Sequence, residues 1–440
     1  MDKFFHSVYL ESDRCLGCTN CMKRCPTEAI RVREGKARII AERCIDCGQC
    51  IQLCPHRAKK ARVNTLQEVF SAQGKQYHVA IPAPSLYGQF NNLDSIDLAL
   101  TALFRLGFDD VFEVAQAAEL VSEKTRELMR SGSLPKPLIS SACPAVVRLI
   151  RVRFPDLCSH VLPEKTPMEV AARLARQRAA QKTGLPQEAV SVTFITPCPA
   201  KMTDVAVPIG THKSQVDFVV AISEVFPLLA EAMKKIDQPE VLSQSGLIGV
   251  GWAGCGGESA ALLNEKYLAA DGIENVIRVL EELEDDRIGE LDFIELNACS
   301  GGCVGGVLTV ENAYVARARL QRLRKYLPVS CNHLDGENSR ELSWSSTLEY
   351  APVMKLSDDL EEALRMMNEI RMIEKRLPGL DCGSCGAPSC RALAEDIVRG
   401  LAREDDCIFV LREQLQQVAN RLSSIQRYIP PRENGRKNDP

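Results

Sequence analysis

The chain has 440 residues, 45% of them apolar and 25% charged, which excludes a disordered protein and suggests about three domains. A formal charge of −4 provides no basic field for nucleic acid. No apolar run reaches the about eighteen residues of a membrane span and the opening segment lacks a signal-peptide core, so the expectation is a cytoplasmic chain with no membrane span. Cysteine is the outlier at nineteen. In a long chain without an export signal, clustered thiols point to metal rather than to a disulfide framework.

The first element is a repeat. Cys15, Cys18, Cys21 and Cys25 precede Pro26, and Cys44, Cys47, Cys50 and Cys54 precede Pro55 at the same spacing. That C-x2-C-x2-C-x3-C-P run is the bacterial ferredoxin signature for two [4Fe–4S] clusters, in which each fourth cysteine ligates the other cluster. Cys15, Cys18, Cys21 and Cys54 are therefore expected to hold one cube, and Cys44, Cys47, Cys50 and Cys25 the other. Zinc, the alternative, wants paired knuckles totalling four ligands and does not explain a triple followed by Cys-Pro. Residues 1–65 are expected to form this ferredoxin-like α+β domain, with a basic surface connection after it.

Beyond it, short apolar runs alternate with amphipathic segments. Strands are expected at 77–83, 137–142, 190–196, 216–222, 245–251 and 291–296, and helices at 95–108, 111–129, 168–181 and 223–236. Such alternation argues for an α/β domain with largely parallel sheets. Cys143 follows the second of these strands, Cys198 the third, and Cys299 with Cys303 the last. Thiols just beyond strand ends lie where α/β sheets present ligand sites, and four of them could close around a further cube. Gly301, Gly302, Gly305 and Gly306 suggest backbone packed closely against something bulky.

The segments Ser140-Ser141-Ala142-Cys143-Pro144, Thr196-Pro197-Cys198-Pro199-Ala200-Lys201 and 295–306 resemble the three signature motifs of the [FeFe] hydrogenase catalytic domain, roughly TSCCP, MPCxxK and ExMxCxGGCxxGG. The resemblance covers about residues 75–330 and implies a two-lobed α/β domain over 75–355. It implies that Cys143, Cys198, Cys299 and Cys303 bind the [4Fe–4S] part of an H-cluster, with Cys303 bridging to a diiron subsite bearing CO and CN ligands. Lys201 would donate to one cyanide and Ser85 to the other. The loop 254–258 resembles the family's glycine-rich GGxxEA stretch.

The departures carry as much information. Fast-turnover family members have a cysteine that passes protons where this chain has Ala142, and two methionines where it has Thr196 and Asn297. Their acidic pair would fall near Lys124 and Thr125, where no carboxylate is present. Glu119, Glu123 and Glu127 share one helical face, read here as solvated. Glu258 and Glu295, inside loops that line the site, are the candidates for a substitute relay, against the simpler reading that Glu295 orders its loop. Replacement of the relay cysteine by alanine resembles the sensory branch of the family. The related prelamin-recognition proteins lack a diiron site and would be expected to lose the residues at Lys201 and Ser85.

A helix is expected over 356–377, followed by Cys382, Cys385, Cys390 and Cys407. That spacing resembles a one-cluster [4Fe–4S] domain, here 356–410 with its preceding helix, against a zinc knuckle. Over 411–440, Leu411, Leu415, Val418, Leu422 and Ile425 form a two-heptad seam, suited to a homodimer or to packing back on the cluster domain, and 430–440 should be disordered. Cys158 and Cys331 read as incidental thiols, Cys255 as a possible neighbour of the site, and no histidine as a ligand. The expectation is an [FeFe]-hydrogenase-like enzyme acting on H2 and protons with three [4Fe–4S] clusters and an H-cluster. It would be either a slow hydrogen sensor or a catalytic subunit, exchanging electrons with ferredoxin or a partner redox or signalling subunit.

Overall fold

The computed structural model describes residues 5–334 and 338–426; the segment 430–440 lies outside them. The chain forms two compact units. One comprises 1–15, 24–29 and 39–354, the other 16–23, 30–38 and 355–440.

The strands in chain order are β1 (Val8–Leu10), β2 (Ile30–Arg33), β3 (Lys36–Ile39), β4 (Lys59–Ala61), β5 (Tyr77–Pro82), β6 (Asp110–Val111), β7 (Leu138–Ile139), β8 (Val190–Thr196), β9 (Phe218–Ala221), β10 (Tyr267–Asp271) and β11 (Phe293–Asn297). In the first unit β1 and β4 pair antiparallel, the short sheet of the ferredoxin-like segment. The cysteine repeat is also a repeat of backbone. Helical turns precede Cys15 and Cys44, and Glu28 and Arg57, at matching positions, both have φ near +50°. The amide of Ala29 donates to the Cys25 sulfur and that of Ala58 to the Cys54 sulfur, each at 3.2 Å.

Two parallel sheets build the rest of this unit. One has the order β6-β5-β8-β9 and the other β10-β11-β7. The strands of the first are almost wholly buried; all seven residues of β8 are, as expected for strands covered by helices on both faces. Helix Val114–Ser131 lies against helix Pro167–Thr183 over this sheet, sharing a core of Ala117, Val121, Val170 and Ala175. A second core joins Ile139, Ile150, Ile273, Leu280 and Ile294 around the smaller sheet.

One expected strand is a helix. Residues 245–251 contain the helical segment Leu247–Gly251. Its alternating glycines serve close packing: a Cβ on Gly249 would stand 2.1 Å from the Ala115 carbonyl oxygen, and one on Gly257 1.9 Å from that of Gly251. Strand β10 and the helices Ile273–Glu284 and Ala313–Arg324 are further elements that the apolar periodicity did not reveal.

In the second unit, helices Leu360–Arg376 and Cys390–Val398 pack through Ile370, Ile373, Leu393 and Ala394. Asp396 is buried and receives Arg31 and Arg33 of β2, each at 2.7 Å. A Cβ on Gly386 would lie 1.8 Å from the Val32 carbonyl oxygen, so β2 and the cysteine loop are in backbone contact. The terminal helix Ile408–Gln426 leaves its seam in solvent: Leu411, Leu415, Val418, Leu422 and Ile425 are 41–61% exposed. The alternative of packing back onto the cluster unit is not what the structure shows.

Candidate metal centre

The two parallel sheets point the ends of their strands at one place. Pro82 of β5 is in register with Ile195 of β8, so Ser85 and Cys198 leave that sheet side by side. Ile139 of β7 is in register with Ile294 of β11, so Cys143 and the Cys299–Cys303 loop leave the other sheet side by side. Burial pushes the Cys198 thiol up to about 11, with Cys143 beside it adding to the effect. Cys299 is held well above the usual thiol range by burial, then by Cys198, Cys143 and Cys303, and Cys303 is raised by burial, then by Cys198 and Cys143, with Lys201 opposing. Cys303 keeps accessible surface while deep in the protein, as a side chain does when it faces a hollow. Cys198, Cys299 and Cys303 are unfavourable as bare thiolates in this enclosure, and a cationic cluster bound by sulfur reverses that balance. The donor set fits an iron–sulfur cube.

Cys47 also contributes to the raised value of Cys299, and its own value is raised by burial and by Cys25 and Cys50. The second ferredoxin-type set and the four strand-end thiols are thus neighbours, and Cys25 sits with the set to which its spacing assigned it.

Around the thiols, Thr196 closes a turn with Cys198: its hydroxyl donates to the Cys198 carbonyl at 3.0 Å and accepts the Cys198 amide. Lys201 lies 3.6 Å from Asp204. Ser85 is fully buried and its hydroxyl has no partner in the protein, an orphaned donor of the kind a bound ligand satisfies.

Glu258 is buried and accepts the Ser140 hydroxyl at 2.7 Å, and that same hydroxyl accepts the amide of Ala142. Burial and then the proximity of Glu295 hold Glu258 well above the carboxylate range. Glu295 accepts from the amides of Gly256 and Ser259, from the Ser259 hydroxyl and from Asn297, at 2.8–2.9 Å. It therefore fastens the glycine loop, and Asn297 serves it. Cys255 is raised by burial, then by Glu295 and Asp271, with Arg317 opposing, rather than by the four thiols. Cys331 is exposed and Cys158 half-buried. His6 comes near Cys44 and Asp46, but the Asp46 oxygens already accept Ser7, Val8 and Thr203.

Two acidic residues require correction or addition. Glu119, expected on a solvated face, is buried and accepts from the amides of Cys331 and Asn332 at 2.9 and 2.8 Å, and from Gly246; the first half of its helix is enclosed on every side. Glu127 on the same face is about half exposed. Glu164, which no motif marked, is buried against Thr125, whose hydroxyl donates to it at 2.7 Å. Burial pushes Glu164 up to about 8.

In the second unit, Cys385 is raised by burial, with Cys407 and Cys382 as neighbours. Cys382 is exposed, and hydrogen bonds from Ser384 lower it. The Cys390 amide donates to Asp381.

Two parallel sheets converging on four enclosed thiols, with a ferredoxin-type thiol set beside them, define an iron–sulfur protein with a buried cluster site. The family model for the iron-only hydrogenase large subunit, C-terminal domain, matches residues 76–263 and 251–307, a 4Fe–4S dicluster domain matches 7–55, and an Fe–S cluster family matches 377–409. The chain belongs to the iron-only hydrogenase family. It is 27% identical over 351 residues to an NADP-reducing hydrogenase subunit of Solidesulfovibrio fructosivorans, covering 66% of this chain and 55% of that one. It is 23% identical to iron hydrogenase 1 of Clostridium pasteurianum, covering 70% and 65%, and 32% identical over 212 residues to the periplasmic hydrogenase large subunit of Nitratidesulfovibrio vulgaris, covering 44% and 50%. The chain thus matches one half to two thirds of these relatives' lengths. A solved [FeFe]-hydrogenase studied for oxygen inactivation of its H-cluster superposes with a TM-score of 0.51 at 17% identity, covering 65% of this chain and 98% of that one. Among the described residues no helix is long and apolar enough to cross a membrane.

Proposed function

We propose that the chain is a slow [FeFe]-hydrogenase-type protein that binds and cleaves H2 and reports hydrogen or redox state to a partner. The observation that carries this reading is Ala142: the side chain that would pass a proton is a methyl group, and the buried acid Glu258 connects to its amide through Ser140.

In this reading Cys143, Cys198, Cys299 and Cys303 hold an H-cluster, which when bound supplies heterolytic cleavage of H2. The other twelve assigned cysteines hold three [4Fe–4S] clusters: Cys15, Cys18, Cys21 and Cys54; Cys44, Cys47, Cys50 and Cys25; Cys382, Cys385, Cys390 and Cys407. Lys201 and Ser85 present donors to anionic diatomic ligands, and their retention speaks against a member without a diiron site. Glu258 holds and releases a proton near Ser140. Glu164, raised to about 8, exchanges protons near neutral pH beside Thr125. Glu295 keeps the loop of Gly256 and Ser259 closed over the site. The reading also places the chain in the cytoplasm and assigns the exposed terminal seam to a second copy or a signalling partner.

A second reading, the catalytic subunit of a larger hydrogenase complex, is favoured by the relative named as a subunit of an NADP-reducing hydrogenase. Infrared spectra of matured protein, recorded with its H2-oxidation rate, test both. The sensor reading expects CO and CN bands with slow turnover that Ala142→Cys raises by up to ~10²–10⁴-fold. Fast wild-type turnover would favour the subunit reading, and an absence of diatomic bands after maturation would sink both.

A further inference from the structure

The glycine segment that Glu295 fastens also borders a second space. Val250, Gly251, the loop 254–257, Tyr267 and one face of helix Ala313–Arg324 line a cavity of about 230 Å³. Helix residues Arg317, Leu320, Gln321 and Arg324 line it, an i, i+3, i+4, i+7 set that places both guanidinium groups on the same side. Their backbone origins are about 10 Å apart along the helix.

No Asp or Glu is among the described residues lining this cavity. The Arg324 guanidinium lies over the backbone of Gly251, where an added Cβ would meet its Cζ at 3.1 Å, and its Nε is buried without a partner. Burial alone lowers Arg324; no carboxylate offsets it. Arg317 makes a long bond of 3.3 Å to the Cys255 carbonyl. Neighbouring Arg319, by contrast, is paired with Glu311 at 2.8 Å. The thiol of Cys255, beside Asp271, is pushed up to about 12 by burial and then by Glu295 and Asp271, so it adds no negative charge at neutral pH. The cavity therefore presents two separated guanidinium groups, and for Arg324 no acid offsets the cost of burial.

We propose that this cavity binds a small metabolite bearing an oxyanion, phosphate or carboxylate, at each end, one held by Arg324 and the other by Arg317. Planar guanidinium groups suit such oxyanions, and the volume, below the ~300 Å³ where drug-sized pockets begin, limits the ligand to a short carbon skeleton. Binding here is independent of what the strand-end thiols hold.

The test is calorimetric titration of the cluster-loaded full chain with 3-phosphoglycerate, succinate and inorganic phosphate at constant ionic strength. One of the two-ended probes is expected to saturate and to bind at least ~10-fold more tightly than inorganic phosphate, with Arg317→Gln and Arg324→Gln each weakening it ~10-fold or more, the scale of one charged hydrogen bond. Preference for 3-phosphoglycerate assigns a phosphate end, and preference for succinate two carboxylate ends. The wild-type chain supplies a readout that needs no variant: at alkaline pH, where the thiolate forms, the saturating probe should slow alkylation of Cys255 while leaving exposed Cys331 unaffected. Absence of saturation at millimolar concentration, equal binding of inorganic phosphate, binding unchanged in either folded variant, or unprotected Cys255 would each overturn the proposal.

Discussion

The strand-end thiols and the C-terminal thiols offer the same donor atom in opposite surroundings. Cys198, Cys299 and Cys303 are enclosed, raise one another, and have an orphaned hydroxyl and two buried carboxylates nearby. Cys382 stands in solvent, lowered by hydrogen bonds from Ser384, with only Cys407 of its set fully buried. Low dielectric strengthens every charge interaction in the first set, which suits proton and hydrogen chemistry. A solvent-facing cluster suits electron exchange with another molecule. Experiments that treat the two sets differently can break this contrast.

The largest effect is expected from removing single ligands. Fully matured protein should hold about eighteen irons, from three cubes and a six-iron cluster, and about sixteen without diiron maturation. Cys299→Ala should lower the total by about six and abolish hydrogen chemistry, while Cys382→Ala should lower it by about four and leave infrared bands intact. Iron analysis with infrared spectroscopy reads both. Zinc in place of iron at either terminal set would remove that set from the contrast.

Glu164 gives the next largest effect. Its value is raised from the ordinary 4.5 to about 8, so the folded chain holds a proton that the unfolded chain releases. The stability of the protonated form is fully present below about pH 4.5 and is lost as pH rises to about 8, with a ceiling of ~5 kcal/mol. Glu164→Gln, neutral throughout, should flatten that part of the stability–pH curve. Urea unfolding at pH 5 and pH 8 measures it, and an unchanged slope would mean that Glu164 is ionised in the fold.

These two predictions differ in how far they could be read from the chain itself. Ligand cysteines come in short local spacings, and the strands that present them are buried runs of Val, Ile and Phe such as 190–195. Parallel sheets and a ferredoxin-like start followed from those patterns. Glu164 and Glu119 gain their character from distant partners, Thr125 for one and the 331–332 backbone for the other. Spacing along a helix identifies a face without identifying what covers it. Residues 245–251 alternate like a strand because helix packing against Ala115 demands glycines there.

Glu258 and Glu295 sharpen the contrast within the enclosed set. Glu258 accepts one side-chain bond, from Ser140, so Glu258→Gln should slow H2 turnover by ~10²-fold or more while leaving thermal unfolding nearly unchanged. Glu295 accepts four bonds. Glu295→Gln should therefore lower stability by ~1–3 kcal/mol as well as slow turnover. Equal turnover in wild type and Glu258→Gln would exclude Glu258 from the relay.

The smallest effect on the chain itself is expected at its exposed end. The terminal helix starts at Ile408, immediately after Cys407, and the Leu411 amide bonds back to the Cys407 carbonyl. Val410 packs against the core of the second unit, whereas all five seam residues remain largely in water. Apolar surface that is not buried contributes nothing to folding, and two heptads alone are marginal as a helix. Deleting residues 411–440 keeps Cys407 and Val410, so the truncated chain should retain about eighteen irons and unfold within ~1 kcal/mol of the full chain. What deletion should remove is association. In the sensor reading, capture of the signalling partner or its dependence on redox state disappears while H2 oxidation with an artificial dye persists. In the subunit reading, electron delivery from the physiological donor is lost instead. Loss of about four irons on truncation would show that the helix braces the C-terminal cluster, and the exposed seam would then be local scaffolding with no partner to recognise.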